Sequence, residues 1–382
     1  MKKIGILVFL AFLECLGSTA HAQALPLSDS AIASVITCGP GNDFYTTFGH
    51  SAIRISDPQR GIDYVYNYGT FDFDTPHFYL KFARGRLDYC LSRTSFNIFM
   101  SVYDYERRYV VEQQLNFTSQ EVRNLYLMLE WNYLPENRYY HYDLFRDNCA
   151  TRVRDMVEAA SGKNKILIPE CELVSCRSLV HHSTGPTLQW WTLGIDLLLG
   201  LPTDKRCSIS DAMFHPEMMF TFYNAATRES EPLVNNVFQW LTDVRPPLRR
   251  SYPPMVVFSL IFVAVAVLSW RKLWPRWADR VLFILAGLMG LVLCFMWFGT
   301  DHWCTKWNLN ILWASPLLIM IAIRQQRSPR WALWLQLACF AVAAVYVLVC
   351  GLSVALLPII LTLALRVACL IPRKPRLLQQ QR

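Results

Sequence analysis

The pattern of hydrophobic positions in this 382-residue chain changes near residue 252. Before that point, apolar and polar residues alternate over short intervals, which is typical of a soluble domain with strands and helices. After it, the apolar residues form long uninterrupted runs, at about 255–270, 279–299, 308–323, 331–349 and 352–371. Because about 20 apolar residues cross a bilayer as one helix, these runs predict an all-α membrane domain of about five transmembrane helices over 253–371.

Another apolar run opens the chain, in MKKIGILVFLAFLECLGSTAHAQA. Two lysines, an apolar core and the small-residue ending Ala20-His21-Ala22 are typical of a secretory signal peptide. An uncleaved membrane anchor is the alternative interpretation. We therefore expect a signal peptide over 1–22, a mature chain that begins near Gln23, and one exported domain over 23–245, which is long enough for a core of its own.

Charge between the apolar runs predicts how the chain is oriented in the membrane. The second loop holds only Lys306 and the fourth holds no basic residue. The basic residues of the other loops and the tail are Arg271, Lys272, Arg276, Arg280, Arg324, Arg327, Arg330, Arg373, Lys374, Arg376 and Arg382. The positive-inside rule then places the tail 372–382 in the cytoplasm and the amino-terminal domain on the opposite side of the membrane, the side that an export signal also predicts. The net charge of +8 is explained by this topology, and nucleic acid is not an expected partner.

One cysteine of the exported domain stands where a helix is expected to begin, in YDLFRDNCATR. From Cys149 the apolar residues recur with helical spacing, Asp147 or Asn148 can cap the amino end, and Gly162 can end the helix. The amino end of a helix carries free N–H groups and a partial positive charge, which lower the pKa of a thiol and stabilise an oxyanion. Cys149 is therefore a candidate nucleophile.

The alternative is that Cys149 is a buried structural cysteine or half of a disulfide. The exported domain contains the six cysteines Cys38, Cys90, Cys149, Cys171, Cys176 and Cys207. An oxidising compartment favours pairing some of them. Cys171 and Cys176 are close in sequence and are reasonable partners, although sequence does not determine the connectivity.

A candidate base lies near the start of the domain, in FYTTFGHSAIRI. The residues from His50 to Ile55 alternate as in a strand, 56–61 has turn chemistry, and 63–68 reads as the returning strand. A hairpin centred on this turn puts His50 opposite Asn67 and Arg54 opposite Asp63, on one face. An imidazole that faces an amide is the base and orienting group of papain-like enzymes. Asp63 is the alternative orienting residue, because a one-residue register shift would break the first pairing.

Other polar clusters are weaker candidates. Asp72, Asp74 and His77 lie in GTFDFDTPHF, but they do not complete the spacing of a metal site, and a polar loop explains them better. No metal or cofactor is expected.

The chain resembles a known family on long motifs. TCGPGNDFYTTFGHSAIRI, DYVYNYGTFDFDTPHFYLKFARGRLDY, PENRYYHYDLFRDNCATRVRD and GIDLLLGLPTD are similar to the Lnb N-terminal periplasmic domain, and the helical half, with FGTDHWCTKWNLNILWASP, resembles the membrane half of Lnb lipoprotein N-acyltransferases. The order of histidine and cysteine also resembles the circularly permuted NlpC-like group that includes lecithin:retinol acyltransferase. In that group an asparagine precedes the cysteine much as Asn148 precedes Cys149.

The resemblance implies an α+β, circularly permuted papain-like periplasmic domain followed by the membrane helices. It implies transfer of a fatty acyl chain from a membrane phospholipid to the N-terminal amine of a diacylated lipoprotein, with Cys149 as nucleophile and His50 as base. Asn67 as orienting residue comes from the hairpin geometry. His302, with Asn308 and Asn310, would lie at the outer membrane face and is a candidate for the acyl or headgroup path. The alternatives are a tethered NlpC-like peptidase or amidase of cell-wall peptide, and a non-catalytic envelope module with Cys149 in a disulfide.

Overall fold

The computed structural model describes residues 26–163, 165–184, 188–245 and 252–371. The expected signal peptide, the start of the mature chain and the basic tail 372–382 lie outside the described residues. Up to residue 245 the chain forms a mixed α+β domain, and from 252 onward it is helical. The change of pattern near residue 252 thus coincides with the change from mixed α+β to helical structure.

The amino-terminal domain is built on a seven-stranded antiparallel sheet with the order β6-β4-β3-β2-β1-β5-β9. Its strands are β1 (Ile32–Cys38), β2 (His50–Asp57), β3 (Ile62–Thr70), β4 (Asp88–Ser95), β5 (Val110–Leu115), β6 (Tyr139–His141) and β9 (Val234–Leu241). The short strands β7 (Thr227–Arg228) and β8 (Glu231–Pro232) form a separate pair. Neighbours in the sheet are antiparallel throughout.

Helices cover both faces of this sheet. They are α1 (Phe78–Arg84), α2 (Phe96–Tyr105), α3 (Ser119–Tyr133), α4 (Cys149–Ser161), α5 (Cys176–Thr184), α6 (Gln189–Leu198), α7 (Ile209–Ala212) and α8 (Pro216–Ala225). The larger core lies between one face of the sheet and the helices α3, α4 and α8, which cover that face. A smaller core lies under α2, where Phe96, Phe99 and Tyr103 pack on the opposite face of the sheet.

Within residues 252–371 the helical half contains five α-helices, α9 (Pro254–Trp270), α10 (Arg276–Phe298), α11 (Leu317–Arg324), α12 (Arg330–Val349) and α13 (Leu356–Leu370). Three segments are long and apolar enough to cross a membrane, namely 276–298, 303–327 and 330–349. The first and last helices are apolar but shorter, with 17 and 15 residues. The third apolar run is divided into short turns and α11, which begins directly after its N-cap Pro316. Membrane-spanning helices are thus confirmed, and the count of five remains a prediction.

Arg366 does not reach toward the membrane surface, as a long basic side chain near a helix end often does. Its side chain is 9% exposed, and its guanidinium donates to both carboxylate oxygens of Asp279 at 2.7 and 2.9 Å and to the hydroxyl of Ser269 at 2.7 Å. These contacts join α13 to α10 and α9. The charge is compensated inside the helix bundle, since a carboxylate from a neighbouring helix is within reach.

The two halves are in direct contact through polar groups of α5 and α6. Arg177 is buried and donates to Asp196 at 2.9 Å, to Asp204 at 2.6 Å and to the hydroxyl of Tyr346 in α12 at 3.3 Å. The other carboxylate oxygen of Asp196 accepts the backbone N–H of Ser353, at 2.7 Å. A buried network of this kind fixes the domain against the helical half, because separating them removes the Tyr346 and Ser353 hydrogen bonds from the buried charges of Arg177 and Asp196.

Candidate active site

The sequence around Cys149 forms the helix start that its pattern predicts. Cys149 is the first residue of α4, and Asn148 is its N-cap: the Asn148 side chain accepts the Thr151 N–H, and the Thr151 hydroxyl accepts the Asn148 N–H. The Asn148 amide also donates to the carbonyl oxygens of Leu144 and Phe214, at 2.7 and 2.8 Å. Asn148 is thus fully used in holding the turn that presents Cys149. Gly162 ends the helix.

The β2–β3 hairpin forms, but its register differs from the expected one by two residues. Arg54 is opposite Val65, and Ser56 is opposite Asp63. Extending this register puts His50 opposite Gly69. The shift arises because β2 is longer than expected: it continues to Asp57, which pairs with Ile62, so the turn begins two residues later than the sequence suggested. A shift of two residues keeps every side chain on its original face, so the expected neighbours still meet, diagonally.

Both diagonal contacts are present. His50 Nε2 lies 3.4 Å from Asn67 Oδ1, and Arg54 donates to both carboxylate oxygens of Asp63 at 2.7 and 2.9 Å. Arg54 also pairs with Glu112. Since an amide oxygen only accepts, Nε2 carries the proton and Nδ1 of His50 remains an acceptor. The structure therefore puts Asn67 beside the imidazole and engages Asp63 elsewhere.

The sulfur of Cys149 lies beside the backbone of the residue that follows His50. The backbone N–H groups of Ser51, Ala150 and Cys149 itself hydrogen-bond to it. The Cys149 Cβ is close to Gly69, 3.7 Å from the position that a Gly69 side chain would occupy, and Gly69 has a φ of +91° that suits glycine. The first turn of α4 thus meets β2 and β3 where His50, Asn67 and Gly69 lie.

Burial decides the protonation of both groups. It raises the pKa of the Cys149 thiol, and it outweighs the three backbone N–H groups and the charge of Arg108, which act in the opposite sense. Burial also lowers the pKa of His50 to about 4; the Arg108 charge adds to this, and the Asn67 hydrogen bond opposes it. The expectation that the helix amino end lowers the thiol pKa is therefore wrong in its net direction. The pair rests as a neutral thiol and a neutral imidazole.

Three residues near the pair were not found from the sequence. Cys38 lies directly opposite His50 on β1, and burial raises its pKa to about 12. Tyr103 of α2 hydrogen-bonds to Cys38. Arg108 is buried, donates to the carbonyl of Gly39 at 2.8 Å and lies over the Tyr103 ring at 4.6 Å. A single basic residue between two elements carries no periodic signal, so its role depends on the fold.

A cavity of about 330 Å³ opens beside the imidazole. One wall is polar and belongs to the sheet, and the other is apolar and belongs to α2. The lining includes His50, Asn67, Thr70, Ser92, Thr94, Ile98, Phe99, Val102 and Tyr103. A ligand with both a polar and an apolar part fits such a lining.

The residues expected at the outer membrane face have partners in the amino-terminal domain. His302 Nε2 lies 3.1 Å from the carbonyl oxygen of Phe82. The Asn308 amide donates to the carbonyls of Leu197 and Leu198, and the Asn310 amide donates to that of Asp196. Asn308 and Asn310 thus attach the loop to α6, and a part in a lipid path remains a prediction for His302.

The same loop contacts the turn that precedes Cys149. The rings of Phe145 and Trp303 are 6.2 Å apart, and the Arg146 guanidinium lies 4.0 Å from the Trp303 ring centre. The candidate nucleophile is therefore close to the end of the transmembrane helices.

The two cysteines whose sulfur atoms lie close together are not the pair that the sequence suggested. The sulfur of Cys176 lies 2.6 Å from that of Cys207, and both are buried, whereas Cys171 is exposed. The backbone segments next to the two cysteines are joined by a β-bridge between Ser175 and Arg206. Because Cys176 and Cys207 are 31 residues apart in sequence, no local sequence pattern predicts their contact. Among the residues that the structure describes, no group of three or more His, Cys, Asp or Glu side chains could hold a metal.

With this geometry established, comparison with known families gives two matches. Residues 22–181 match the Lnb N-terminal periplasmic domain, and residues 248–374 match the Lnb transmembrane domain. The chain belongs to the Lnb family. Both halves of an Lnb protein are present in this order, and together the matches cover about three quarters of the sequence. Cys149, His50 and Asn67 all lie within the first match. No curated protein and no solved structure matches the chain.

Proposed function

We propose that this Lnb-family chain is a lipoprotein N-acyltransferase with Cys149 as nucleophile, His50 as general base and Asn67 as the residue that orients the imidazole. The observation that carries the proposal is the placement of the Cys149 sulfur at the backbone N–H of Ser51, the residue that follows His50, whose imidazole contacts Asn67 through Nε2. The remaining imidazole nitrogen, Nδ1, is then the acceptor for the thiol proton.

The first half-reaction makes a thioester. His50 takes the proton of Cys149 as the sulfur attacks the ester carbonyl of a membrane phospholipid, so the S–C bond forms as the ester C–O bond breaks. The proton then passes from His50 to the leaving oxygen, and a lysophospholipid departs. The N–H groups at the start of α4 are hydrogen-bond donors for the transient oxyanion.

The second half-reaction transfers the acyl chain. The N-terminal amine of a diacylated lipoprotein, in its neutral form, attacks the thioester and forms an amide. The amine proton passes through His50 to the departing sulfur, which regenerates the thiol. Two easier steps replace one difficult aminolysis of an ester, and none of them uses a metal or a cofactor.

The neutral resting pair is consistent with this sequence of steps. A buried thiol beside a buried neutral imidazole gives up its proton only as the carbonyl is attacked, so no reactive thiolate is exposed in the absence of substrate. The cavity beside His50 has an apolar wall and a polar wall, which suits an acyl ester. Attachment to transmembrane helices keeps the site at the bilayer surface, where both substrates are held. The proposed location is the inner membrane, with the amino-terminal domain in the periplasm and the carboxyl terminus in the cytoplasm.

The test is mass spectrometry of lipoprotein amino termini from cells with the wild-type chain, with Cys149→Ala and with His50→Ala. We expect triacylated termini with the wild type alone, and purified wild-type protein should convert labelled phospholipid into labelled lipoprotein and a lyso-lipid. Full transfer by Cys149→Ala would refute the mechanism. Cleavage of cell-wall peptide without acyl transfer would instead establish the NlpC-like peptidase or amidase.

A further inference from the structure

Helix α1 (Phe78–Arg84) exposes apolar side chains of a kind that soluble proteins usually bury. None of its residues is buried. Among its apolar side chains, Tyr79 is 82% exposed, Leu80 is 55% exposed and Phe82 is 45% exposed. Phe73 and Tyr45, from the loops beside the helix, are exposed as well and their rings are 6.4 Å apart. We call these five residues the α1 patch. Contiguous exposed apolar side chains of this kind mark an interaction surface.

The position of α1 relative to the transmembrane helices is fixed by hydrogen bonds. The backbone N–H of Asp301 donates to the carbonyl of Arg84 at 3.0 Å, and the Arg86 guanidinium donates to the Asp301 carboxylate at 2.6 Å. His302 Nε2 lies 3.1 Å from the Phe82 carbonyl oxygen. The end of α1 is therefore attached to the loop directly after α10.

The end of α10 marks the boundary between membrane and water. The helix has 23 residues, about 35 Å at 1.5 Å per residue, which matches a hydrocarbon core of about 30 Å. At its end the rings of Trp297 and Phe298 stack at 4.9 Å, and Trp307 lies 5.1 Å from Trp297. Aromatic residues concentrate at this level of a bilayer. Asp301 follows Phe298 by three residues, so α1 lies at the level of the lipid headgroups.

Charge on α1 suits the same partner. Its charged residues are Lys81 and Arg84, both basic. A short helix with exposed aromatic and aliphatic side chains and basic residues is typical of segments that lie in the membrane interface, because phosphate groups attract the bases and the acyl boundary accepts the rings.

A row of aromatic rings connects the α1 patch to the candidate active site. Phe82 stacks on Phe78 at 6.3 Å, Phe78 is 5.9 Å from Phe71, Phe71 is 5.1 Å from Tyr89, and Tyr89 stacks on Tyr142 at 4.5 Å. Tyr142 and Cys149 both approach the position that a Gly69 Cβ would occupy, each at 3.7 Å.

From these contacts we propose that the α1 patch is a bilayer-docking surface, seated in the phospholipid interface beside the end of α10. Docking there does not depend on the reaction. A second step, in which the docked lipid moves along the aromatic row to Cys149, rests on the proposed function. The partner is a phospholipid bilayer, and a protein bound at this surface is the competing outcome.

Photo-crosslinking tests the docking with no need for catalysis. The full chain with Cys149→Ala is placed in phospholipid nanodiscs, and the photoreactive residue benzoylphenylalanine replaces Tyr79, whose exposure means that the fold loses no packing. The matched control carries the same residue at Gln120, exposed at the start of α3. Next to Gln120, Ser119 contacts Asp29, and Ser28 contacts Asp57 at the end of β2. The control position is therefore near Asp57, whereas His50 is at the other end of the same strand. The two ends of β2 are about 23 Å apart at 3.3 Å per residue.

The expected result, by mass spectrometry after illumination, is phospholipid adducts at position 79 in at least tenfold excess over position 120. Equal adduct yields at the two positions would overturn the proposal, and so would crosslinks from position 79 to protein in place of lipid. Because Cys149 is absent, a failure of the proposed acyl transfer leaves this result unchanged, and the two proposals can fail separately.

Discussion

The backbone N–H of Ser51 hydrogen-bonds to the sulfur of Cys149, and this one contact joins the start of α4 to the strand that carries His50. The residues are 98 positions apart in sequence, as their numbers show. Their contact brings the helix amino end, the imidazole and the Asn67 amide to one place. The predictions about the site depend on this geometry.

The first prediction separates the two candidate orienting residues. Asn67→Ala removes the acceptor of His50 Nε2, so the imidazole is free to rotate and to change tautomer. We expect the transfer rate to fall about 10- to 100-fold, the usual effect of losing a group that orients a reacting residue. Asp63→Asn is the matched control, because Asp63 pairs with Arg54, and it should retain the wild-type rate within about twofold while losing up to about 1 kcal/mol of stability. The reverse ranking in a lipoprotein acylation assay would make Asp63 the orienting residue.

A second prediction concerns pH. The base is the neutral imidazole, and because its pKa is lowered to about 4, it remains neutral through the mildly acidic range. The acid limb of kcat/KM should therefore lie near pH 4, with activity present above it and lost as pH falls through it. A free histidine would give a limb near 6.5. A measured limb near 6.5 would contradict the buried environment of His50.

Arg108 supplies a variant for the same measurement. Its charge lowers the pKa of His50, so Arg108→Gln should move the acid limb upward, toward 6.5, whereas Arg108→Lys should keep it close to the wild-type position. A variant that only destabilised the domain would lower the rate at every pH without moving the limb.

A third prediction is a disulfide between Cys176 and Cys207. Their sulfur atoms are already 2.6 Å apart, and an oxidising compartment completes such a bond. Closing a loop of this length stabilises a domain by about 3–4 kcal/mol in the chain-entropy account. Peptide mapping without reductant should recover the linked pair. Cys207→Ser should lower the Tm, while Cys171→Ser, at an exposed cysteine, should not. Recovery of a Cys171–Cys176 peptide would contradict this pairing.

The fourth prediction concerns the ion pair inside the helical half. Arg366→Ala leaves Asp279 buried and uncompensated, and we expect a loss of about 3–5 kcal/mol in thermal unfolding in detergent. Asp279→Asn should cost a similar amount, and the double variant Arg366→Ala with Asp279→Asn should cost less than the sum of the two single changes. Arg280→Ala, at an exposed arginine four residues from Arg276, should change stability by no more than about 0.5 kcal/mol. Additive losses would show that the two charges are independent.

Local patterns were sufficient to predict several parts of the structure. The helix from Cys149, its Asn148 cap and its end at Gly162 formed as expected, since capping and helical period act over a few residues. The two strands of the hairpin also formed where alternation placed them. Their register was predicted two residues out, because the turn was expected to begin at Ser56 whereas β2 continues to Asp57, yet the face of each side chain was right because the strand period is two.

Other features depended on distant parts of the chain. A long basic side chain near a helix end often reaches toward the membrane surface, but Asp279, from a different helix, compensates the charge of Arg366 in place. Cys176 was matched to Cys171 by proximity in sequence, whereas the fold brings Cys207 to it. Arg108 carried no sequence signal, because a buried guanidinium beside the site is defined by what surrounds it.

The sequence by itself determined the division into an α+β domain and a helical half, the Lnb resemblance, and the residue types at the candidate site, because periodicity, capping and motif identity are properties of neighbouring residues. Only the tertiary structure decided the protonation of Cys149 and His50, the partners of Asn67 and Asp63, and the attachment of α1 to the loop that follows α10. Burial and the distance between groups far apart in the chain set these, and neither exists before the chain folds.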